Sequence, residues 1–220
     1  MKKKDLYIKV CGMRDTENVA AVRAAGAEML GFIFYEKSER RMEKFGKANL
    51  PALISAAGYA DCVGVFVNAS ASYIIQKTEE YDLTYAQLHG DESPAFCTAL
   101  AEAAPGLSVI KVFSVGEDFD FAVTEAYASA VDLFLFDTKG KERGGNGVKF
   151  NWEILHNYQG EKPFILSGGI TPRDAEAIKA FNHPQLWGID LNSGFERAAG
   201  EKKAEVIADF IHDVRCCEAQ

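Results

Sequence analysis

Residues 6–11 read Leu6-Tyr7-Ile8-Lys9-Val10-Cys11, a short run of mostly aliphatic, aromatic and β-branched residues that Gly12 follows. Such a run is typical of a β-strand, and seven similar runs recur along the chain. We predict strands at Leu6–Cys11, Met29–Tyr35, Cys62–Asn68, Tyr85–His89, Ser108–Phe113, Leu133–Asp137, Phe164–Ser167 and Trp187–Leu191. Helical patterns lie between the strands, among them Thr16–Ala25, Thr171–Phe181 and Lys202–Arg215.

This alternation of strands and helices predicts the fold class. Eight strands alternating with eight helices in 220 residues fit a single eight-stranded parallel (β/α)8 barrel, the TIM-barrel architecture. An open doubly wound sheet is the alternative, but it rarely uses so many equal units. Because no stretch has the composition of a linker, we expect residues 1–220 to form one TIM-barrel domain.

Composition restricts the possible partners. The net charge of −8 disfavours nonspecific binding to nucleic acid, and no stretch approaches the roughly 20 apolar residues that span a bilayer. The five cysteines show no CxxC spacing, so neither a zinc site nor a disulfide framework is indicated. We expect a cytoplasmic protein that binds no nucleic acid, membrane or metal; the oligomeric state is not readable from the sequence.

In a (β/α)8 barrel the active site is built at the C-terminal ends of the strands, and here those ends are rich in polar residues. The candidates are Lys9, Cys11, Gln87, His89, Lys111, Asp137, Ser167, Gly168, Gly169, Asp190, Asn192, Ser193 and Gly194.

Two of these candidates suit proton transfer. Cys11 shares a strand face with Lys9, and we expect that ammonium to lower the thiol pKa by about one unit from its usual value near 8.5, which would make Cys11 a usable base. Asp137 ends the sixth strand, where a carboxyl could donate a proton; the alternative is a capping aspartate. The simplest reading of Cys62 and Cys97 is that of small buried hydrophobes.

The loops after the seventh and eighth predicted strands indicate phosphate binding. They read Ser167-Gly168-Gly169 and Asn192-Ser193-Gly194. Many barrels bind phosphate at these two loops through backbone N–H groups, and glycine lets the backbone approach an anion closely. A glycine pair alone is more often just a turn, but two such loops at matching positions favour a phosphorylated small molecule.

Six motifs in order resemble those of the phosphoribosylanthranilate isomerase family of tryptophan biosynthesis. They are Lys9-Val10-Cys11-Gly12-Met13, Gly64-Val65-Phe66-Val67-Asn68, Gln87-Leu88-His89-Gly90-Asp91-Glu92, Phe136-Asp137-Thr138, Gly144-Gly145-Asn146-Gly147 and Leu166-Ser167-Gly168-Gly169-Ile170. The resemblance runs from Lys9 to the final helix. It implies a cofactor-free Amadori rearrangement of N-(5-phosphoribosyl)anthranilate to 1-(o-carboxyphenylamino)-1-deoxyribulose 5-phosphate.

The resemblance also assigns roles to residues. Asp137 is the implied general acid on the ribose ring oxygen, and Cys11 the general base that removes the proton on C2. We expect burial of Asp137 behind Phe134 and Phe136 to help it hold its proton. Arg40 matches the family arginine for the anthranilate ring or its carboxylate; an ordinary surface arginine is the alternative. The other expected substrate-binding residues are Gln87, His89, Gly168, Gly169, Asp190, Ser193 and Gly194.

Some features leave other readings open. Asn192, Phe195 and Asn146 depart from the usual family pattern. A ribulose-phosphate epimerase would need metal-ligating histidines, and of the four here only His89 ends a strand. An indole-glycerol-phosphate synthase would use a lysine, for which Lys111 is the candidate. A catalytically idle barrel would have lost Cys11 or Asp137, and both are present.

Overall fold

Eight parallel strands form a closed barrel in the computed structural model, which describes residues 6–42, 50–138 and 152–216. The strands are β1 Tyr7–Cys11, β2 Met29–Ile33, β3 Asp61–Phe66, β4 Tyr85–Leu88, β5 Ser108–Val115, β6 Leu133–Thr138, β7 Phe164–Ser167 and β8 Leu186–Leu191. Each pairs with the next along the chain, and β8 pairs with β1. The predicted parallel barrel is confirmed.

The predicted strands agree with the observed ones to within two residues at each end. Differences of two residues occur at the ends of β2, β3 and β5, of which β2 and β3 stop early, at Ile33 and Phe66. Asn68 has a φ of 51°, in the left-handed region, so the third strand cannot continue through it as predicted. Conversely, β5 runs two residues further than predicted, to Val115.

Helices lie between the strands, but not every connection contains an α-helix. The described α-helices are α1 Thr16–Ala24, α2 Leu50–Ala57, α3 Ala71–Tyr81, α4 Pro94–Ala103, α5 Ala175–Ala180 and α6 Ala204–Arg215. A 3₁₀ helix at Phe121–Tyr127 connects β5 to β6, and another at Trp152–Asn157 precedes β7. The expectation of eight regular helices is therefore wrong for the β5–β6 connection, where Val123 and Thr124 bring β-branched residues of low helix propensity.

Two predicted helices begin differently from expectation. The stretch predicted at Thr171–Phe181 opens with a 3₁₀ turn at Pro172–Asp174, where Asp174 accepts hydrogen bonds from the Thr171 N–H and hydroxyl at 2.8 and 2.7 Å. Lys202 was predicted to start the last helix but lies in a hairpin of β9 (Glu196–Ala198) and β10 (Glu201–Lys202). No helix in the described ranges is long and apolar enough to cross a membrane.

The alternation of side chains divides the core into two layers. Inside the barrel lies a small apolar cluster, which consists of Met29, Val63, Ile110, Val112, Leu133, Leu135 and Ile165. A larger cluster fills the space between the barrel and the helices. Nearer the C-terminal mouth, Cys11, Ile33 and Val65 form a third cluster, so the base of the mouth is apolar on the side of β1–β3.

Candidate active site

A cavity of about 190 Å³ opens at the C-terminal ends of the strands. Its walls are Cys11, Ile33, Val65, Gln87, His89, Asp137, Ser167, Gly168, Gly169, Ile170, Asp190, Asn192 and Ser193. Among them are eight of the ten residues that the sequence predicts for catalysis or substrate binding. Arg40 and Gly194 are not, and sequence reasoning had not marked the apolar Ile33, Val65 and Ile170.

Cys11 is buried at the end of β1, with Lys9 on the same face of the strand. Burial raises the pKa of the Cys11 thiol above its ordinary value, the Lys9 charge opposes this rise, and the Asp190 carboxylate adds to it. The prediction that Lys9 would lower the thiol pKa overall was therefore wrong. The thiol pKa rises because the thiol is removed from water and because the Lys9 charge is shared with the Asp190 carboxylate.

Lys9 and Asp190 form a buried ion pair at the bottom of the cavity. They lie opposite each other in the β1–β8 ladder, and the Lys9 Nζ donates to Asp190 Oδ1 at 2.9 Å. Burial favours neutral lysine, but the charges and hydrogen bonds of Asp190 and Cys11 prevail and raise the pKa of Lys9. Lys9 therefore stays cationic beside the thiol. Asp190, predicted to bind substrate, has its Oδ1 taken up by this contact.

Asp137 reaches the cavity from the end of β6 and faces His89 of the β4 loop. The His89 Nε2 lies 3.8 Å from Asp137 Oδ2, and the Asp137 side chain is 32% exposed. Phe134 and Phe136 belong to the outer core and point away from the barrel, since they alternate with Asp137. The expectation that these rings bury Asp137 was wrong. Burial lowers the pKa of His89, although the Asp137 charge acts in the opposite direction.

Gln87 presents a buried acceptor to the cavity. Its Nε2 lies 3.5 Å from the His89 Nδ1, while its Oε1 is buried without a hydrogen-bond partner within the described ranges. A buried carbonyl oxygen that lacks a partner costs roughly 1–3 kcal/mol. The position therefore suits a donor from a bound ligand, such as a sugar hydroxyl.

The loops after β7 and β8 come together on the other side of the cavity. Gly168 and Gly169 have φ values of +102° and +65°, which side chains rarely adopt, and Ser193 begins a 3₁₀ helix at Ser193–Phe195. A Cβ on Gly194 would lie 2.3 Å from the Ile170 carbonyl oxygen, so Gly194 allows the two loops to touch rather than lining the cavity. Asn146, one of the three residues that depart from the family pattern, lies outside the described residues.

Arg40 lies beside the mouth in an ionic cluster that sequence reasoning missed. Its guanidinium donates to Glu196, and Lys202 donates to both Glu196 and Asn192. The only sequence signal for Glu196 was its place in the loop after the eighth strand, two residues beyond Gly194. Lys202 gives no such signal, because the sequence pattern predicts it as the start of a helix.

Lys111, the residue that could have served a synthase, points out of the barrel. Its Nζ donates to Glu92 Oε2 at 2.9 Å and to the Gly90 carbonyl at 2.6 Å, and it takes no part in the cavity wall. No cluster of His, Cys, Asp and Glu in the described part of the chain could hold a metal ion. The thiol, imidazole and carboxyl groups in the cavity wall are side chains that can transfer protons.

Comparison with known proteins identifies the family to which this chain is similar. The family model for N-(5′-phosphoribosyl)anthranilate (PRA) isomerase matches residues 8–213. The N-(5′-phosphoribosyl)anthranilate isomerase of Parabacteroides distasonis is 46% identical over 95% of this chain and 93% of that protein, and that of Phocaeicola vulgatus is 42% identical over 96% and 98%.

Solved structures agree with the sequence comparisons. The phosphoribosyl anthranilate isomerase of Thermotoga maritima superposes with a TM-score of 0.80 at 29% identity, over 96% of this chain and 98% of that one. A phosphoribosyl anthranilate isomerase in complex with reduced 1-(o-carboxyphenylamino)-1-deoxyribulose 5-phosphate superposes with a TM-score of 0.77 at 26% identity, over 96% and 98%. This chain belongs to the N-(5′-phosphoribosyl)anthranilate isomerase family.

Proposed function

We propose that this chain isomerises N-(5′-phosphoribosyl)anthranilate in tryptophan biosynthesis, with Asp137 as general acid and Cys11 as general base. The observation that carries the proposal is that both side chains line one cavity, from strands β6 and β1 that β7 and β8 separate. A ribose ring held between them would meet the acid on one side and the base on the other. No step requires a metal or cofactor.

The first step opens the ribose ring. Asp137 donates a proton to the ring oxygen, the bond from C1 to that oxygen breaks, and the anilino nitrogen forms a Schiff base with C1. The oxygen leaves poorly unless it is protonated, so the carboxyl must carry a proton when substrate is bound. His89, whose Nε2 lies 3.8 Å from Asp137 Oδ2, is a group that could exchange that proton.

The second step moves the proton from C2. The iminium makes this proton acidic, Cys11 removes it, and the resulting enamine becomes the ketone when C1 gains a proton and the C2 hydroxyl loses one. Because burial raises the pKa of the thiol, the thiolate needs support when it acts. The Lys9 ammonium and the iminium itself supply positive charge beside it.

Substrate contacts divide by chemistry among the remaining site residues. The backbone around Gly168 and Gly169 and the start of the helix at Ser193 would hold the phosphate, and the Gln87 carbonyl oxygen would accept from a ribose hydroxyl. Arg40 would bind the carboxylate of the anthranilate ring. Gly194 and Asp190 then act through other residues, Gly194 by letting two loops pack and Asp190 by holding Lys9.

The proposal also includes the setting of the reaction. All four cysteines in the described ranges are free, which suits the reducing cytoplasm, and the net charge of −8 suits a small-molecule enzyme better than a nucleic-acid partner.

The test is turnover of the substrate by the purified chain. N-(5′-phosphoribosyl)anthranilate is first made enzymatically from anthranilate and phosphoribosyl pyrophosphate, and loss of its fluorescence is followed after the purified chain and a metal chelator are added. Because the product has the same mass as the substrate, it is identified by borodeuteride reduction, which places deuterium on C2 of the ketone but on C1 of the unreacted substrate. We expect turnover that the chelator does not change. A folded protein that leaves the substrate intact, or that acts only with added metal, would overturn the proposal.

A further inference from the structure

The guanidinium of Arg40 is held by the carboxylate of Glu196, a residue distant in sequence. Arg40 Nε lies 2.9 and 3.1 Å from the two oxygens of Glu196, and Nη2 lies 2.6 Å from Oε2. This two-pronged contact joins the loop after β2 to the hairpin after β8. Such bidentate pairs fix orientation as well as distance.

Glu196 is itself held firmly. It accepts a hydrogen bond from the buried Lys202 ammonium at 2.6 Å and another from the Gly200 N–H at 2.9 Å. Its side chain is 5% exposed, against 26% for Arg40. Burial opposes ionisation of Glu196, but the hydrogen bonds from Arg40 and Lys202 prevail and lower its pKa to about 2. Glu196 is therefore a permanent anion at the pH of catalysis.

The same cluster adjoins the catalytic cysteine. A Cβ built on Gly12 would lie 2.8 Å from Arg40 Cδ and 3.5 Å from Lys202 Nζ, and Gly12 directly follows Cys11. The Arg40 stem thus passes over the turn that carries the base. Since Glu196 takes the edge formed by Nε and Nη2, the edge formed by Nη1 and Nη2 is left to a second planar anion.

We propose that Glu196 is a positioning residue for substrate recognition: it holds Arg40 so that the second edge of the guanidinium receives the aromatic carboxylate of the substrate. The inference rests on the proposed function and adds to it a residue that does not itself touch substrate. Lys202 completes the arrangement by keeping the Glu196 carboxylate in place.

A purely structural role for the Arg40–Glu196 pair is the competing explanation, and binding of two analogues separates the two. Both analogues are stable alditol 5-phosphates of the product skeleton, one with an o-carboxyphenylamino group and one with a phenylamino group. Neither can be turned over, so their affinities are independent of catalysis. The quantity of interest is the ratio of the two dissociation constants, measured by calorimetry.

We expect wild type to prefer the carboxylated analogue by at least about tenfold, which corresponds to about 1.4 kcal/mol. Arg40→Lys should abolish most of this preference, and Glu196→Gln should do the same while leaving the affinity for the phenyl analogue within about twofold. The double variant should be no worse than Arg40→Lys alone, because both changes remove one interaction. Glu201→Gln, an exposed glutamate of the same hairpin, is the matched control and should leave the ratio unchanged.

An unchanged ratio in Glu196→Gln, or equal weakening of both analogues, would overturn the inference and show that the Arg40–Glu196 pair has a purely structural role. If Glu196→Gln does not fold, Glu196→Asp decides, since it keeps the charge and shortens the reach; a ratio equal to that of wild type would then contradict the positioning role. Failure of the proposed function would be observed separately, as wild-type protein that does not turn over N-(5′-phosphoribosyl)anthranilate.

Discussion

The ammonium of Lys9 donates to the carboxylate of Asp190 at 2.9 Å from the facing position of the neighbouring strand, and the thiol of Cys11 lies beside this pair. The protein thus buries an anion, a cation and its proposed base together. Burial raises the pKa of the Cys11 thiol, and the Asp190 charge adds to the rise against the opposing Lys9 charge, so the thiol is not a ready thiolate. This arrangement leads to two predictions.

Lys9→Met should reduce both stability and activity, for different reasons. It leaves Asp190 buried without its partner, which typically costs about 3 kcal/mol of unfolding free energy, measurable with urea. It also removes the charge that lowers the thiol pKa. Lys9→Met/Asp190→Leu should recover much of the stability but not the turnover; recovery of both would show that Lys9 has no role in the chemistry.

The pH profile should reflect the raised thiol pKa. In Asp137→Asn, where the acid cannot titrate, the residual kcat/KM should rise with pH and continue to rise through the usual cysteine range near 8.5 if the Cys11 thiolate is the base. Measurement of kcat/KM from pH 6 to about 10 in buffers of constant ionic strength tests this. A plateau already reached below pH 7 would mean that the base is another group, or a thiol whose pKa is not raised.

Stability should fall in mild acid because of His183, away from the site. The His183 Nδ1 accepts from the Gln185 N–H and the Nε2 pairs with the Tyr158 carbonyl; burial lowers the pKa of the ring, although the Tyr158 bond opposes this. The unfolded chain therefore binds a proton more readily, and stability is lost as the pH falls from about 6.5 towards the lower folded pKa. His183→Gln should reduce this loss in urea titrations at pH 7.5 and 5.5 while kcat stays unchanged. The same pH dependence in both proteins would contradict the assignment.

Gly168→Ala should weaken substrate binding. A φ of +102° strains any side chain, so the loop must shift where the backbone would meet the phosphate. We expect KM to rise about tenfold with a smaller change in kcat. The control is Gly106→Ala, where a Cβ meets no heavy atom within 4 Å. Equal KM values for the two variants would remove this loop from phosphate binding.

Local pattern was enough to predict the barrel and the position of its active site. Eight short strands at regular intervals left few other folds, and strand ends directed attention to Cys11 and Asp137. Alternation on β6 also shows why Phe134 and Phe136 do not bury Asp137. Asp137 shares its face with Leu133 and Leu135, so the two phenylalanines point the other way.

Contacts between distant segments could not be read in the same way. Asp190 meets Lys9 across 181 positions of sequence, and Glu196 meets Arg40 across 156. Burial reversed the expected direction of the Cys11 pKa, and the Asp190 charge added to the rise; both depend on which strands are neighbours. The contact with Glu196 gave Arg40 a partner that no local motif indicates.

The central claim is that Cys11 and Asp137 carry the two proton transfers. It is tested most directly by kcat/KM for N-(5′-phosphoribosyl)anthranilate in wild type, Cys11→Ser and Asp137→Asn, with Cys62→Ser as the control for a buried cysteine on β3 outside the cavity. Each positioned transfer is worth about 10² to 10⁴-fold, so both site variants should lose at least about 100-fold while folded, and Cys62→Ser should not. Turnover that survives in Cys11→Ser or Asp137→Asn at the wild-type level would contradict the account.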